Sequence, residues 1–285
     1  MVKKPTTLNC LDSFLALFRG TTSEAQINDL IEYMIKSSYF FSKDCVEERY
    51  ETMCKLLSLD KNPNSNKGDL NAEKNGYFYC RFSTVKDENS PYFKDCRCET
   101  QIPDDKRSSK TKLLNYQKDN DVYYCYNPVD SKESFCIKVK IDNDGNSAVR
   151  SLINKVCGYW VSNGAKSTIK NATISHIWGN ASNPLFFTSL WNIVVVPTFC
   201  NFILEKNEIK NENNDEEEDQ KYIDIINRVN NTFKAICWKM YGVENKQFDG
   251  KIIITKPEDN YLKLADTYIN LIPADHILGK TECKC

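Results

Sequence analysis

This sequence has no long apolar run and almost no net charge. No stretch approaches the roughly 18 apolar residues that a membrane-spanning helix needs, so a transmembrane protein is not expected. The formal net charge is only −1 at pH 7. This gives no sign of a strongly basic nucleic-acid binder, although a local basic face is compatible with it. Histidine is scarce too, with 2 residues in 285.

The rest of the composition is that of a globular protein. The chain is 41% hydrophobic and 27% charged, and its length suits one large domain or two ordinary ones. The basic start, Met1 to Lys4, is followed by an apolar patch from Leu8 to Phe18 that Asp12 interrupts. We do not interpret this as a signal peptide, and we expect a cytoplasmic protein.

The 13 cysteines are an odd number in a long chain, which favours reduced thiols over a disulfide framework. Many lie in aromatic or aliphatic runs, where cysteine acts as a small buried hydrophobe. Two C-x-C pairs, Cys96 with Cys98 and Cys283 with Cys285, offer four thiolates for a structural Zn²⁺. Their spacing is tighter than in most zinc sites, so a zinc site is not favoured.

Apolar periodicity and turn residues predict helices alternating with short strands. The predicted helices cover residues 28–36, 44–58, 147–157, 220–240 and 258–271, and the predicted strands cover 77–82, 122–126, 135–141, 168–178, 191–196 and 251–255. Thr21, Thr22 and Ser23 are candidate caps of the first helix, and Thr198 is one for a helix after Pro197.

The composition changes near residues 143–147, where we place a soft domain boundary. Residues 1–145 then form an N-terminal α+β region for recognition of DNA or a partner. Residues 146–285 form a second domain that contains the candidate site and a long amphipathic helix.

Three polar residues stand out in the second part of the chain. His176 closes a predicted strand, Asn192 opens another sixteen residues later, and Asn201 lies nine residues beyond that, in the first turn after Pro197. The predicted order is therefore strand, loop, strand, helix. A neutral histidine can take a proton from water near working pH. Amide oxygens are among the ligands that hard divalent cations prefer.

This order and spacing resemble the HNH nucleases, whose active site is the ββα-metal motif. The resemblance covers roughly residues 168–206 and rests on His176, the strand Trp191 to Val195, and Asn201. It implies an α+β fold with an HNH-like core inside a chain of helices and short strands. It also implies an endonuclease that hydrolyses phosphodiester bonds in DNA with Mg²⁺ or Mn²⁺, acting in restriction or phage defence. Such cutters of palindromic sites commonly act as homodimers.

The resemblance also implies a role for each residue. His176 would be the general base, Asn201 a metal ligand, and Asn192 the residue that holds the loop and orients His176. The family usually has Asp or His, a metal ligand, immediately before the base, but this chain has Ser175. Three outcomes follow: Ser175 ligates weakly, Glu205 assists one turn after Asn201, or the site is inactive.

The sequence alone leaves open purely structural roles for these residues and other functions for the protein. His176 is compatible with a hydrogen-bonded core residue near Trp178, and Asn192 with a turn cap. His276 follows Asp275, but no strand and helix follow it, so a surface or capping role is favoured. The alternative functions are an inactive nuclease-like protein that binds nucleic acid and a nuclease toxin with a partner inhibitor.

Overall fold

A computed structural model of the chain describes residues 23–60, 78–81, 122–126, 135–142, 146–179, 181, 184–204, 216–246 and 254–280. These residues form a mixed α+β structure of helices and a few short strands. The α+β class predicted from the sequence is confirmed at this level. No helix in these ranges is long and apolar enough to cross a lipid bilayer.

Seven α-helices lie in the described ranges, several of them with ends set by local sequence. They are α1 (Glu24–Ser37), α2 (Lys43–Asp60), α3 (Ser147–Cys157), α4 (Pro184–Phe187), α5 (Asn201–Leu204), α6 (Glu216–Tyr241) and α7 (Asp259–Ile269). Ser23 begins α1 through a capping box with Gln26, as its place before the helix predicted. Gly158 ends α3 in the left-handed conformation, which glycine adopts at little cost.

Helix α6 is the packing centre of the helical part. Its buried residues recur at helical spacing, from Ile226 through Val229 and Phe233 to Ile236. This stripe packs the helix against α1, α2, α5 and α7. The amphipathic helix predicted over residues 220–240 is therefore confirmed, and it is somewhat longer than predicted.

Within the described ranges, seven short strands form three small sheets. The strands are β1 (Phe40–Phe41), β2 (Phe78–Arg81), β3 (Val122–Tyr126), β4 (Phe135–Asp142), β5 (Ala172–His176), β6 (Ile193–Pro197) and β7 (Ile277–Leu278). β1 pairs with β7 in parallel, and β4 lies between β2 and β3. β5 and β6 are antiparallel, with Ile174 opposite Val195 and His176 opposite Ile193.

The β5–β6 hairpin lies inside the core. All four residues from Ile193 to Val196 are buried, as expected for a strand covered on both faces. The other edge of β6 is also covered, because the backbone of Tyr39 exchanges two hydrogen bonds with Val195. α5 follows β6 after a short 3₁₀ turn and packs against β5.

The largest differences from the predicted elements lie at three places. The strand expected over residues 168–178 is limited to β5, because the preceding residues form a loop closed by pairing of Val161 with Ile169. Pro197, not Thr198, occupies the cap position after β6, and no side chain caps the turn. Ile254 and Thr255 are irregular, and residues 251–253 lie outside the described ranges.

The described residues on both sides of position 145 contribute to one hydrophobic core. Ile31 and Met34 of α1 belong to it together with Val194 of β6 and Phe233 of α6. The division into residues 1–145 and 146–285 stays a prediction, because residues 61–77, 82–121 and 127–134 lie outside the described ranges.

Candidate functional site

The three polar residues singled out from the sequence lie on consecutive parts of one strand–strand–helix unit. His176 is the last residue of β5, and Asn192 immediately precedes β6. A 3₁₀ turn over Thr198–Cys200 leads into α5, whose first residue is Asn201. The two strands and the helix follow the predicted order, but α4 and a 3₁₀ turn over Leu190–Asn192 lie between the strands, so Asn192 ends that turn and does not open β6.

His176 is buried, with 4% of its surface exposed, and its ring is held from two sides. Nε2 lies 2.9 Å from the carbonyl oxygen of Phe187, and the imidazole stacks on the Phe187 ring with centroids 5.2 Å apart. A carbonyl oxygen only accepts, so Nε2 carries the proton in this bond. In the neutral imidazole the lone pair is then on Nδ1, which is the atom that could act as a base.

Asn192 joins both ends of the loop between β5 and β6. Its Oδ1 accepts the backbone N–H of Trp178 at 2.8 Å, and its Nδ2 donates to the carbonyl oxygens of Gly179 and Phe186, each at 3.2 Å. Its own carbonyl accepts the N–H of Ile177 at 2.9 Å. The side chain is fully buried, and it fixes the loop that carries the Phe187 carbonyl bonded to His176.

Ser175 and Asn201, the two predicted metal ligands, each hold a buried oxygen atom without a hydrogen-bond partner among the described residues. These atoms are Ser175 Oγ and Asn201 Oδ1. A buried oxygen in this state costs about 1–3 kcal/mol. Because α5 packs against β5, the fold brings the two elements that carry these atoms together.

The other metal-ligand candidates from the sequence fall outside the described ranges. Glu205, the carboxylate suggested from the sequence, lies outside them, as do the C-x-C pairs at Cys96 and Cys283. Within the part of the chain that the structure describes, no three His, Cys, Asp or Glu side chains are arranged to hold a metal ion.

Comparison with known proteins identifies a family for most of the chain. Residues 73–272 match the family model described as "Uncharacterised protein PM1201". The chain belongs to the PM1201 family. No curated protein and no solved structure matches it. The matched range includes the strand–strand–helix unit with His176, Asn192 and Asn201.

A residue outside the range that matches the PM1201 model also holds the loop. Arg49 of α2 donates from Nε to the carbonyl oxygen of Thr188 at 3.2 Å and from Nη2 to the Thr188 hydroxyl at 2.6 Å. Thr188 follows Phe187, whose carbonyl bonds His176. Sequence reasoning missed Arg49 because it is 139 positions from Thr188 and no local pattern connects them.

His276, the other histidine of this PM1201-family chain, lies apart from the loop. Its Nδ1 contacts the carbonyl oxygen of Ser38 at 3.2 Å, and its ring lies 4.3 Å from that of Tyr39. Asp275 beside it is exposed. This placement agrees with the surface or capping role favoured from the sequence.

Proposed function

We propose that this PM1201-family protein is a metal-dependent HNH-type endonuclease that hydrolyses phosphodiester bonds in DNA and serves restriction or phage defence. The observation that carries the proposal is the loop between β5 and β6 that Asn192 holds, which we call the locked loop. His176 ends β5, and the side chain of Asn192 ties both ends of the following loop with three hydrogen bonds. This is the division of labour that the HNH resemblance implies for the two residues.

The proton chemistry in this proposal belongs to His176. The Phe187 carbonyl accepts the Nε2 proton and so fixes one tautomer of the neutral ring. Nδ1 then takes a proton from the attacking water as the water oxygen bonds to phosphorus. The bond from phosphorus to the leaving oxygen breaks, and that oxygen takes a proton from solvent water. Stacking on Phe187 and the Asn192 bonds hold the ring in place, which lowers the cost of reaching the reactive geometry.

The side chains of Ser175 and Asn201 offer oxygen, the ligand atom that a hard cation prefers, but neither carries a negative charge. Both are buried and lack partners among the described residues, and Mg²⁺ or Mn²⁺ prefers oxygen ligands. A cation held there would neutralise charge on the phosphate and the leaving oxygen. Neither oxygen is ionised, so this donor set binds more weakly than one with the carboxylate or imidazole that HNH nucleases usually place at position 175.

The same feature favours a second function, that of a nuclease-like protein that binds nucleic acid without cleaving it. With Ser175 in the ligand position, the locked loop would then be structural, and His176 a hydrogen-bonded core residue. Both functions use the same fold, and they differ only in whether the protein cleaves the nucleic acid that it binds.

The deciding experiment compares the two histidines of the chain. Purified protein is incubated with plasmid DNA in Mg²⁺, Mn²⁺ or EDTA, beside His176→Ala and the matched control His276→Ala. We expect metal-dependent cutting by the wild type and by His276→Ala, and none by His176→Ala. Cutting that persists in His176→Ala excludes it as the base. No cutting by the wild type with any metal favours the second function.

The metal ligand is tested separately by thermal denaturation with and without Mn²⁺. Asn201→Ala should lose most of the metal-induced rise in melting temperature. Asn154→Ala, an exposed position on α3, serves as the matched control and should keep that rise. Equal stabilisation of both variants by Mn²⁺ would remove Asn201 from the ligand set.

A further inference from the structure

The region around the candidate site contains no acidic residue over a long stretch of sequence. Between Asp144 and Glu205 there are sixty residues without Asp or Glu, whereas the chain average predicts about eight. The same stretch contains four basic residues, Arg150, Lys155, Lys166 and Lys170. Lys155, Lys166 and Lys170 are exposed, and no carboxylate of the same stretch offsets their charge, which favours contact with a polyanion.

Exposed aromatic rings lie in the same region. Trp160 and Phe199 both belong to the acid-free stretch and are each 37% exposed, and Tyr33 of α1 is 56% exposed. The rings of Tyr33 and Phe199 stack on each other, with centroids 6.0 Å apart and an interplanar angle of 28°. Phe199 lies two residues before Asn201, so this pair borders the candidate site.

Backbone hydrogen bonds bring together the segments that carry Trp160, Lys170 and Phe199. Ile169 donates to the carbonyl oxygen of Trp160 at 3.2 Å, and two residues later the carbonyl oxygen of Asn171 accepts from Thr198 at 3.1 Å. The exposed Lys170 lies between these two contacts, and Phe199 follows Thr198 directly. The exposed Lys166 lies in the loop that the bond from Ile169 to the Trp160 carbonyl closes. Two residues separate the two hydrogen-bonded points, so these points lie at most about 7 Å apart along the chain.

We propose that the aromatic–lysine face, made of Tyr33, Trp160, Lys166, Lys170 and Phe199, binds single-stranded nucleic acid. Exposed rings offer faces on which unpaired bases stack, and the lysines neutralise the phosphates between them. The assignment of this ligand as the substrate rests on the proposed nuclease function, whereas the binding itself does not.

The combination of rings and lysines selects this ligand over two others. Bases in a duplex are already stacked and offer no free face to the rings, so a duplex would use only the lysines. An acidic peptide would also use the lysines and leave the rings without a role. Two acidic residues of α1 lie near Tyr33 and repel phosphates on that side of the face. They are Asp29, one turn before Tyr33, and Glu32, which pairs with Lys36 at 2.9 Å. The phosphates are therefore expected on the Lys170 side.

The test measures binding without cleavage, by fluorescence anisotropy of labelled oligothymidine with the full chain in EDTA. We expect Trp160→Ala and Phe199→Ala each to weaken binding about 5- to 150-fold, the loss typical of one stacked base. Leu264→Ala is the matched control, because Leu264 is a 50% exposed apolar residue on α7, and it should bind as the wild type does.

The lysines are tested by the salt dependence of the same binding. Each phosphate contact to a single strand contributes about 0.7 to the slope of log affinity against log salt. Lys166→Gln combined with Lys170→Gln should therefore make this negative slope shallower by about 1.4, while Lys263→Gln, at an exposed lysine on α7, should leave it unchanged.

Two results overturn the inference: oligothymidine affinity that is unchanged in both aromatic variants, or equal competition by a duplex of the same length or by polyglutamate. These failures are distinct from failure of the nuclease proposal. Metal-dependent cutting with no effect of the aromatic variants rejects this face alone. Tight binding of oligothymidine that depends on the rings, without cutting, rejects the nuclease alone.

Discussion

Arg49 and Thr188 connect α2 to the loop of the candidate site through two hydrogen bonds from one guanidinium. Burial lowers the pKa of Arg49 to about 10, so the side chain stays charged at neutral pH. Both Thr188 acceptors are neutral oxygens. Among the described residues no carboxylate pairs with Arg49, and the hydrogen bonds to these oxygens compensate for the desolvation of the guanidinium.

Thr188→Val should therefore destabilise the protein strongly for so small a change. It removes the hydroxyl that accepts from Arg49 Nη2 and leaves a buried charged donor without that acceptor, at a cost of about 1.5–3 kcal/mol. Urea denaturation measures the loss. Thr188→Ser keeps the hydroxyl and should cost clearly less. Arg49→Met combined with Thr188→Val should cost less than the sum of the single changes, and strict additivity would show that the two side chains are not coupled.

Ser175→Ala should raise the melting temperature of the metal-free protein. Its hydroxyl is buried without a partner among the described residues, so removing it relieves a cost of about 1–3 kcal/mol. Ser189→Ala is the matched control, since Ser189 is also buried but its hydroxyl donates to the Leu185 carbonyl at 2.7 Å. Thermal denaturation in EDTA should move in opposite directions for the two variants. A drop for Ser175→Ala would mean that its hydroxyl has a stabilising partner.

Local features of this fold could be predicted from sequence, because each depends on nearby residues. The capping residue Ser23 and the helix over residues 147–157 are confirmed. Non-local pairings could not be predicted. Tyr39 with Val195, and β1 with β7, join segments more than 150 positions apart. At the candidate site, residue types and spacing indicated His176 and Asn192, but only the folded chain shows their hydrogen bonds.

The protein should lose stability above about pH 9. Burial raises the pKa of Cys200 to about 12, and it also raises the pKa of Cys237 and Tyr241. Because these groups ionise more easily in the unfolded chain, their contribution to stability is complete below the unfolded pKa and is lost as the pH rises from the unfolded pKa to the raised folded pKa. The free energy of unfolding should therefore fall between pH 8 and pH 10.

Cys200→Ala separates this effect from general alkaline damage. The variant should lose about 1.4 kcal/mol less than the wild type between pH 8 and pH 10, the linkage expected for one thiol. Ile203→Val, a buried change on α5 that does not titrate, should lower stability by the same amount at both pH values. Identical pH dependence in Cys200→Ala and the wild type would contradict the shifted pKa.

Asn192→Asp should give a cost that depends on pH, because it keeps the shape of the side chain and changes only its hydrogen bonding. One oxygen still accepts from Trp178 N–H, but the other replaces a donor that faces the carbonyl oxygens of Gly179 and Phe186. The buried carboxylate is repelled by those oxygens, which raises its pKa above the unfolded value of about 3.9. The protonated acid can donate to a carbonyl, so the deficit relative to the wild type is small at low pH and grows as the pH rises through the raised pKa.

Urea denaturation at pH 5 and pH 8 should show a larger loss for Asn192→Asp at pH 8. Asn192→Ala, which cannot titrate, should lose about 3 kcal/mol at both values, since three hydrogen bonds disappear. An equal cost of Asn192→Asp at the two pH values would mean that the loop opens to admit water around the carboxylate. In that case Asn192 would not hold His176 in the buried geometry on which the proposed proton transfer depends.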